Sequence, residues 1–375
     1  MTQKQLYIGV MSGTSLDGID IVISDFSTPA STSCQLIAAK IFPFPASLQE
    51  RLHQIIITQQ CDLTALCELD IELGQVIAQA IKQLLADYHI EASQIIAIGS
   101  HGQTLLHQPT GQYPFSLQIG NGNVIAEQTG ITTIADFRQR DITAGGQGAP
   151  LVPAFHAECF AREQQDRIII NIGGIANLSL LPADKTQPIL GFDSGPGNCL
   201  MDAWIQRHQQ HAYDKNGQWA KSGQCHQGLL KQLLDEPYFQ QDIPKSTGRE
   251  LFNLNCLDEH LNHFEPTISP ADVQATLLQL TANTIANAVQ HYGNKYQAIF
   301  ICGGGAHNVA LMSQLQQQLP NKQVNTTETL GLHPDWVEAC AFAGLAYLTL
   351  NNKAGNIPSV TGAKHPVVLG AIYPI

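Results

Sequence analysis

The sequence predicts an α/β fold of two domains, each built on a mostly parallel sheet. Three observations carry this. The chain has 375 residues, and one domain usually takes roughly 100–200. A strand, a glycine turn and a second strand open the chain at Leu6–Phe26. The same unit reappears at Arg167–Leu181, after the glycine-rich segment Gly145–Pro150.

The elements follow in order. Leu6–Met11 is an apolar strand, and Ser12–Gly18 is its turn. Along Ile19–Phe26, Ile19, Ile21 and Ile23 alternate with Asp20, Val22 and Ser24, which is strand period. Gln35–Phe42 fits another strand. In Asp70–Tyr88 the residues Ile71, Val76, Ile77, Ala80, Ile81, Leu84 and Leu85 make one helical face. Ile95–Ser100 and Ile131–Ala135 are short buried strands, ending at His101-Gly102-Gln103-Thr104 and at an Asp136-Phe137-Arg138 loop. Strands alternating with helices favour a mostly parallel sheet with functional loops at strand ends.

In the second half, Arg167–Asn171 and Ala176–Leu181 flank Gly173-Gly174. The echo of the opening hairpin suggests a duplicated unit, but glycine turns join strands in many folds, so coincidence stays open. The Gln- and His-rich run Gln206–Gln227 reads as a polar surface segment. His208, His211 and His226 lack carboxylate or thiolate partners at ligand spacing. Ser269-Pro270-Ala271-Asp272 is a helix start, with Ser as N-cap and Pro at the first position, and the helix runs to about Tyr292. Gln297–Cys302 is a strand, Gly303-Gly304-Gly305 a turn, and Val309–Leu319 a helix. Glu338–Leu350 is a small-residue helix that can pack closely on another backbone, as a hinge helix would. The domains expected are 1–145, with about 355–375 returning to the first, and 146–354.

Composition narrows the function. Hydrophobic residues are 44% and charged ones 13%, enough for a sizeable core. The net charge of −12 argues against a nucleic-acid partner, which needs a basic face. It leaves a nucleotide site open, because backbone donors and a metal suffice there. Nine scattered cysteines without CxxC pairs read as reduced thiols of a cytoplasmic protein. No export signal and no long apolar run is seen, so no membrane partner is expected.

Six segments carry candidate chemistry. In Gly9–Asp20, glycines and hydroxyls can meet phosphate oxygens, and Asp17 and Asp20 can hold Mg²⁺ through water. The P-loop lysine is absent, and a plain tight hairpin is the alternative. Asn171–Leu178, with Gly173, Gly174 and Asn177, makes a second phosphate hairpin. Gly191–Asn198 holds Asp193 in Phe-Asp-Ser-Gly-Pro-Gly, a loop that can fix a catalytic acid. A turn closed by an Asx hydrogen bond is the alternative, although such a turn does not need two glycines and a proline around one acid. Cys302–Asn308, with Gly303, Gly304, Gly305 and Asn308, suits close approach of a base or phosphate. Arg138 is a fork for a substrate carboxylate or, equally, half of a surface pair with Asp141. His101–Thr104 with His107 offers donors suited to sugar hydroxyls.

Gly9–Asp20, Ser100–His107, Ala135–Pro150, Asn171–Leu178, Gly191–Asn198, Cys302–Asn308, Asp335–Ala346 and the ending Val360–Ala363 with Val367–Pro374 together resemble the anhydro-N-acetylmuramic acid kinases, in order and from position 7 to 374. The resemblance implies a two-domain actin-like (ribonuclease H-like) ATPase fold with a central interdomain cleft. It implies ATP and Mg²⁺ as cofactors and 1,6-anhydro-N-acetylmuramic acid as substrate. The anhydro ring would be opened by water and O6 phosphorylated, in the recycling of cell-wall peptidoglycan. Gly13, Thr14, Ser15, Leu16, Asp17, Gly18, Ile19 and Asp20 would bind ATP, Asp193 would be the general base, and Thr104, Arg138 and Glu338 would lie near the sugar. A homodimer is left open. The alternatives are another sugar or acyl-group kinase of this fold, or a non-enzymatic actin-like ATPase switch.

Overall fold

The structure is a computed structural model that describes residues 4–13, 15–27, 34–248, 250–264 and 266–375. In chain order its strands are β1 Leu6–Ser12, β2 Ile19–Asp25, β3 Gln35–Phe42, β4 Ile95–Ser100, β5 Gln103–Gln108, β6 Phe115–Ile119, β7 Thr133–Ala135, β8 Arg167–Ile172, β9 Ile175–Leu181, β10 Leu190–Pro196, β11 Ala298–Cys302, β12 Gln323–Thr326 and β13 Ala371–Tyr373. The helices are α1 Ala46–Thr58, α2 Leu63–Asp87, α3 Gly122–Thr129, α4 Phe137–Thr143, α5 Val152–Phe160, α6 Cys199–Gln209, α7 Gln218–Ser222, α8 Gln227–Leu234, α9 Leu254–Leu261, α10 Pro270–Tyr292, α11 Val309–Gln318, α12 Val337–Leu350 and α13 Pro358–Thr361. The chain forms two compact units, Met1–Phe160 with Trp336–Ile375, and Ala161–Asp335.

The first unit holds a sheet ordered β13-β7-β4-β1-β2-β3. β1, β2 and β3 form an antiparallel meander, and β4 and β7 continue in parallel with β1. The second unit holds β10-β9-β8-β11-β12. There β8, β9 and β10 are the meander, while β11 and β12 run parallel. Apart from β13, the two sheets have one order and one set of directions. The echo of the two glycine hairpins is therefore a duplication of a whole sheet, and this is the actin-like ATPase fold.

One face of the first sheet packs on α2. Asp62 caps that helix by accepting from Thr64 N at 2.9 Å. Its residues Leu69, Leu73, Ile77, Ile81 and Leu84 recur at helical spacing and meet Ile19, Ile21 and Ile23. The other face is covered by α12. A Cβ on Gly9 would lie 1.9 Å from Ala339 O, and one on Gly99 2.0 Å from Phe342 O. Backbone meets backbone there, and only glycine on the strands permits it. Val22 and Ser24 are consequently fully buried.

The expected boundaries at 145 and about 354 are thereby displaced. Residues 146–160 and 336–354 lie in the first unit, because α12 covers β1 and β4 and α5 packs on α12, with Phe155 against Gly344. In the second unit, Ile168, Ile170 and Ile172 of β8 form a core with Val273, Leu277 and Ile285 of α10. Ser269 caps α10 by accepting from Asp272 N at 3.2 Å. The run Gln206–Gln227 is not simply a surface loop. It contains the end of α6 and all of α7, and buried Asp214 accepts from Trp219 N and Ala220 N, both at 2.9 Å. Among the described residues, no helix is long and apolar enough to cross a membrane.

Candidate active site

The β1–β2 turn in the first unit is shaped by an apolar plug. Leu16 is buried at positive φ (57°), donates to Gly13 O at 3.2 Å, and its carbonyl accepts from Gln49 Nε2 at 2.6 Å. The side chains of Leu16 and Ile19 belong to the core, so what they can offer a nucleotide is backbone. Ser15 Oγ donates to Asp17 Oδ1 at 2.9 Å at the exposed tip, and Ser12 Oγ donates to Gln103 Oε1. Asp20 is half-buried within β2, opposite Met11 and Ile41. Thr14 lies outside the described residues.

Arg138 is not in a loop but in the first turn of α4, after Asp136 at φ +54°. It does not pair with Asp141 on the surface. Asp141 is fully buried and accepts from Gly148 N, Asn356 Nδ2 and Thr361 Oγ1 at 2.7–2.8 Å. Arg138 Nη1 donates to Gly148 O at 2.8 Å, and Nε donates to His101 Nε2 at 3.1 Å. A guanidinium only donates, so His101 Nε2 accepts and Nδ1, 2.9 Å from Gly102 O, carries the proton. Burial, then the Arg138 charge, pushes the His101 pKa down to about 3. The same two causes push His107 down to about 4. Both imidazoles are neutral, so His101 orients Arg138 as a hydrogen-bond acceptor rather than as a charge.

Thr104 stands on β5 beside this cluster. Gln118 Nε2 donates to Thr104 Oγ1 at 3.0 Å and to Ser116 Oγ at 2.7 Å, and His107 Nδ1 is 2.9 Å from the same Ser116 hydroxyl. His107 Nε2 and Gln118 Oε1 are buried without a protein partner. Such groups are costly unless a ligand or water completes them. Ser116 and Gln118 escaped sequence reasoning. Their signal is an inverted alternation on β6, where Ser116 is buried while Leu117 is exposed. Glu338 is half-buried in the first turn of α12.

In the second unit the Asp193 segment is a strand, not an Asx-closed turn. β10 runs through Pro196, with an irregularity between Asp193 and Gly195. Asp193 pairs in register with Asn177, and Asn177 with Asn171. Paired residues share a sheet face, so the three form one polar row across three strands. Asp193 is 8% exposed, and its Oδ2 accepts from Thr247 N at 3.0 Å. Its carbonyl accepts from Tyr238 Oη at 2.8 Å, and burial and Asp193 raise that phenol well above its usual range. Asn177 Oδ1 is buried without a protein partner.

Two glycines beside this row are open. A Cβ on Gly173 would meet nothing nearer than Ile175 O at 3.7 Å, and one on Gly304 nothing nearer than Asn198 Nδ2 at 3.8 Å. Asn198 joins them, since its N–H donates to Gly173 O at 2.8 Å. Gly303 and Gly305 are closed: a Cβ on either would lie 2.3 Å from Asn171 Oδ1 and Ile172 Cγ2 respectively. Asn308 caps α11 by accepting from Leu311 N at 3.1 Å, so its carbonyl oxygen is engaged by the helix. Open backbone at Gly173 and Gly304 fits close approach of a phosphate.

Residues 5–375 match the family described as anhydro-N-acetylmuramic acid kinase. The chain belongs to that family. With it, the chain is a sugar kinase. Curated relatives agree over the whole length. The anhydro-N-acetylmuramic acid kinase of Pasteurella multocida is 50% identical over 98% of this chain and 96% of its own. That of Vibrio vulnificus is 48% identical over 100% of both. Among solved structures, component A of the Acidaminococcus fermentans (R)-2-hydroxyglutaryl-CoA dehydratase matches with a TM-score of 0.48 at 11% identity, over 90% of this chain and 96% of that one. That likeness is too low to argue from.

Proposed function

We propose that this kinase opens the 1,6-anhydro bridge of 1,6-anhydro-N-acetylmuramic acid with water and transfers the γ-phosphoryl of ATP to O6. The products are N-acetylmuramic acid 6-phosphate and ADP, and the reaction serves peptidoglycan recycling in the cytoplasm. The observation that carries the reading is the unbroken match of residues 5–375 to the family.

The bridge oxygen O6 carries no proton. It becomes a nucleophile only as its bond to C1 breaks. Asp193 takes a proton from water, the water oxygen bonds to C1, the C1–O6 pair moves onto O6, and O6 attacks the γ-phosphorus as its bond to the bridging oxygen breaks and ADP leaves with that electron pair. A buried carboxylate with one oxygen anchored on Thr247 N is well held for that proton. Gly173, Gly304 and the backbone of Gly13–Asp20 receive phosphate oxygens. Asp17 and Asp20 are oxygen donors suited to Mg²⁺ through water, and bound Mg²⁺ supplies charge that neutralises the transferred phosphoryl. Arg138, Thr104 and Glu338 hold the sugar. The planar guanidinium of Arg138, oriented by His101 and the Gly148 carbonyl, is a fork suited to a lactyl carboxylate.

ADP release tests the reading. It is expected to depend on both the anhydro sugar and Mg²⁺. Equal release with N-acetylglucosamine would point to an ordinary sugar kinase, and equal release without sugar to an ATPase switch. Either result would overturn it.

A further inference from the structure

Beside the turn that carries Gly304, the second unit gathers two imidazoles and a carboxylate that have been given no role. His307 ends the short 3-10 turn Gly304–His307, and His333 and Asp335 lie on the strap that precedes α12. His307 Nε2 is 2.7 Å from Asp335 Oδ1, and His333 Nδ1 is 3.7 Å from Asp335 Oδ2. One ligand atom from each residue lies within 4.8 Å of the others. The two rings sit 5.7 Å apart, tilted by 34°. The two segments are tied by backbone, since Gly303 N donates to Pro334 O at 3.1 Å. The donor set is therefore held by the turn and not by side-chain contact alone.

We propose that His307, His333 and Asp335 bind a divalent transition-metal cation of the Zn²⁺ class. Bonds of about 2.0–2.2 Å from nitrogen and oxygen to zinc put neighbouring ligand atoms of a tetrahedral site about 3.3 Å apart. The present separations bracket that value, and small side-chain rotations reach it. Two neutral imidazoles and one carboxylate select zinc, nickel or copper over magnesium and calcium, which prefer all-oxygen sets. Three protein ligands leave the remaining position to water. The side chains of His307 and His333 are 54% and 40% exposed, so the ion exchanges with solvent. A bound ion braces the His333–Asp335 strap against the Gly303–Gly305 turn. This inference is independent of the sugar chosen as acceptor.

The test is a Zn²⁺ titration of the metal-free full chain against a chromophoric chelator at neutral pH. One ion per chain is expected to compete with the chelator, undisturbed by a large excess of Mg²⁺. Loss of a partner beyond the ligands alone costs on the order of 10–100-fold in affinity, so His307→Ala and His333→Ala should each cost at least that. Zn²⁺ should raise the thermal midpoint of the parent chain and not of the two variants. Co²⁺ substitution should give d–d bands without thiolate charge transfer, which separates this site from the cysteines, none of which is in a disulfide among the described residues. Absence of competition, affinity unchanged in both variants, or a thiolate spectrum would overturn the proposal.

Discussion

The same sheet position carries different chemistry in the two units. One residue before the hairpin turn, the row across the meander reads Met11–Asp20–Ile41 in the first unit and Asn171–Asn177–Asp193 in the second. The acid has moved from the middle strand to the edge strand, and its neighbours have changed from apolar to amide. The turns differ likewise. The first is long, carries Ser15 and Asp17, and is pinned by Leu16. The second is two glycines whose carbonyls accept from Gly197, Asn198 and Cys199. A duplicated scaffold thus fixes where strands end, and the side chain at each end decides the task. In our reading the first row holds a metal–nucleotide and the second deprotonates water.

The largest expected effect tests that division directly. Asp193→Asn should lower kcat by on the order of 10²–10⁴, the usual worth of a positioned acid–base group, with ATP affinity nearly unchanged. Asp20→Asn should instead weaken MgATP binding, with rate recovered at higher Mg²⁺. Steady-state kinetics over a Mg²⁺ series on both variants separates the two. If both respond alike to Mg²⁺, the rows do not divide the labour.

Next come the two sides of the second turn. A Cβ on Gly197 would lie 2.4 Å from Gly173 O, whereas one on Gly173 meets open space. Gly197→Ala should cost about 1–3 kcal/mol of stability, as overpacking does. Gly173→Ala should leave the thermal midpoint in place and raise the KM for ATP. A stable Gly197→Ala protein, or a Gly173→Ala protein with normal ATP affinity, would remove the argument that one glycine serves the fold and the other the ligand.

Acid sensitivity is expected to fall on the first unit. Burial, aided at His101 and His107 by Arg138, pushes His101 and His156 down to about 3 and His107 to about 4. All three lie in the first unit. Their folded pKa values are below the unfolded value near 6.5, so the unfolded chain binds more protons between those limits. Stability is then complete above about pH 6.5 and falls below it, at most about 1.4 kcal/mol per pH unit for each group. Hydrogen exchange at pH 5 and pH 7.5 should show first-unit amides losing protection before those of the second. Uniform loss would show that these histidines do not set the acid limit.

The strands β1, β2, β3, β4, β8, β9 and β11, and the helices α2, α10, α11 and α12, were legible because aliphatic period and caps are local signals. The β5–β6 hairpin was not, because Gln103–Gln108 turns polar groups inward and its partner strand does the same. Arg138 was read as a loop residue, since Asp136 at positive φ breaks the helical pattern just before it. Its pairing with His101 joins positions 37 residues apart, which no local pattern records. The polar row of Asp193 depends on strand register, and register is fixed by the fold. The small-residue character of α12 was plain, but the sheet it covers was not, because closeness in sequence favoured the second unit.

That last feature bears on how the molecule is made. The second unit is one continuous stretch of chain inserted into the first, and α12 follows it. A ribosome adding roughly 5–20 residues per second releases β1 and β4 long before α12. Until residues 337–350 emerge, the strand face around Gly9 and Gly99 lacks its helix and must stay open on the nascent polypeptide. The inserted unit has all of its own strands by then and can fold earlier. The first piece synthesised is therefore the last to be completed. A translational pause or a truncation before Val337 would leave an unfinished sheet beside a finished one, a substrate for chaperones rather than a shorter enzyme.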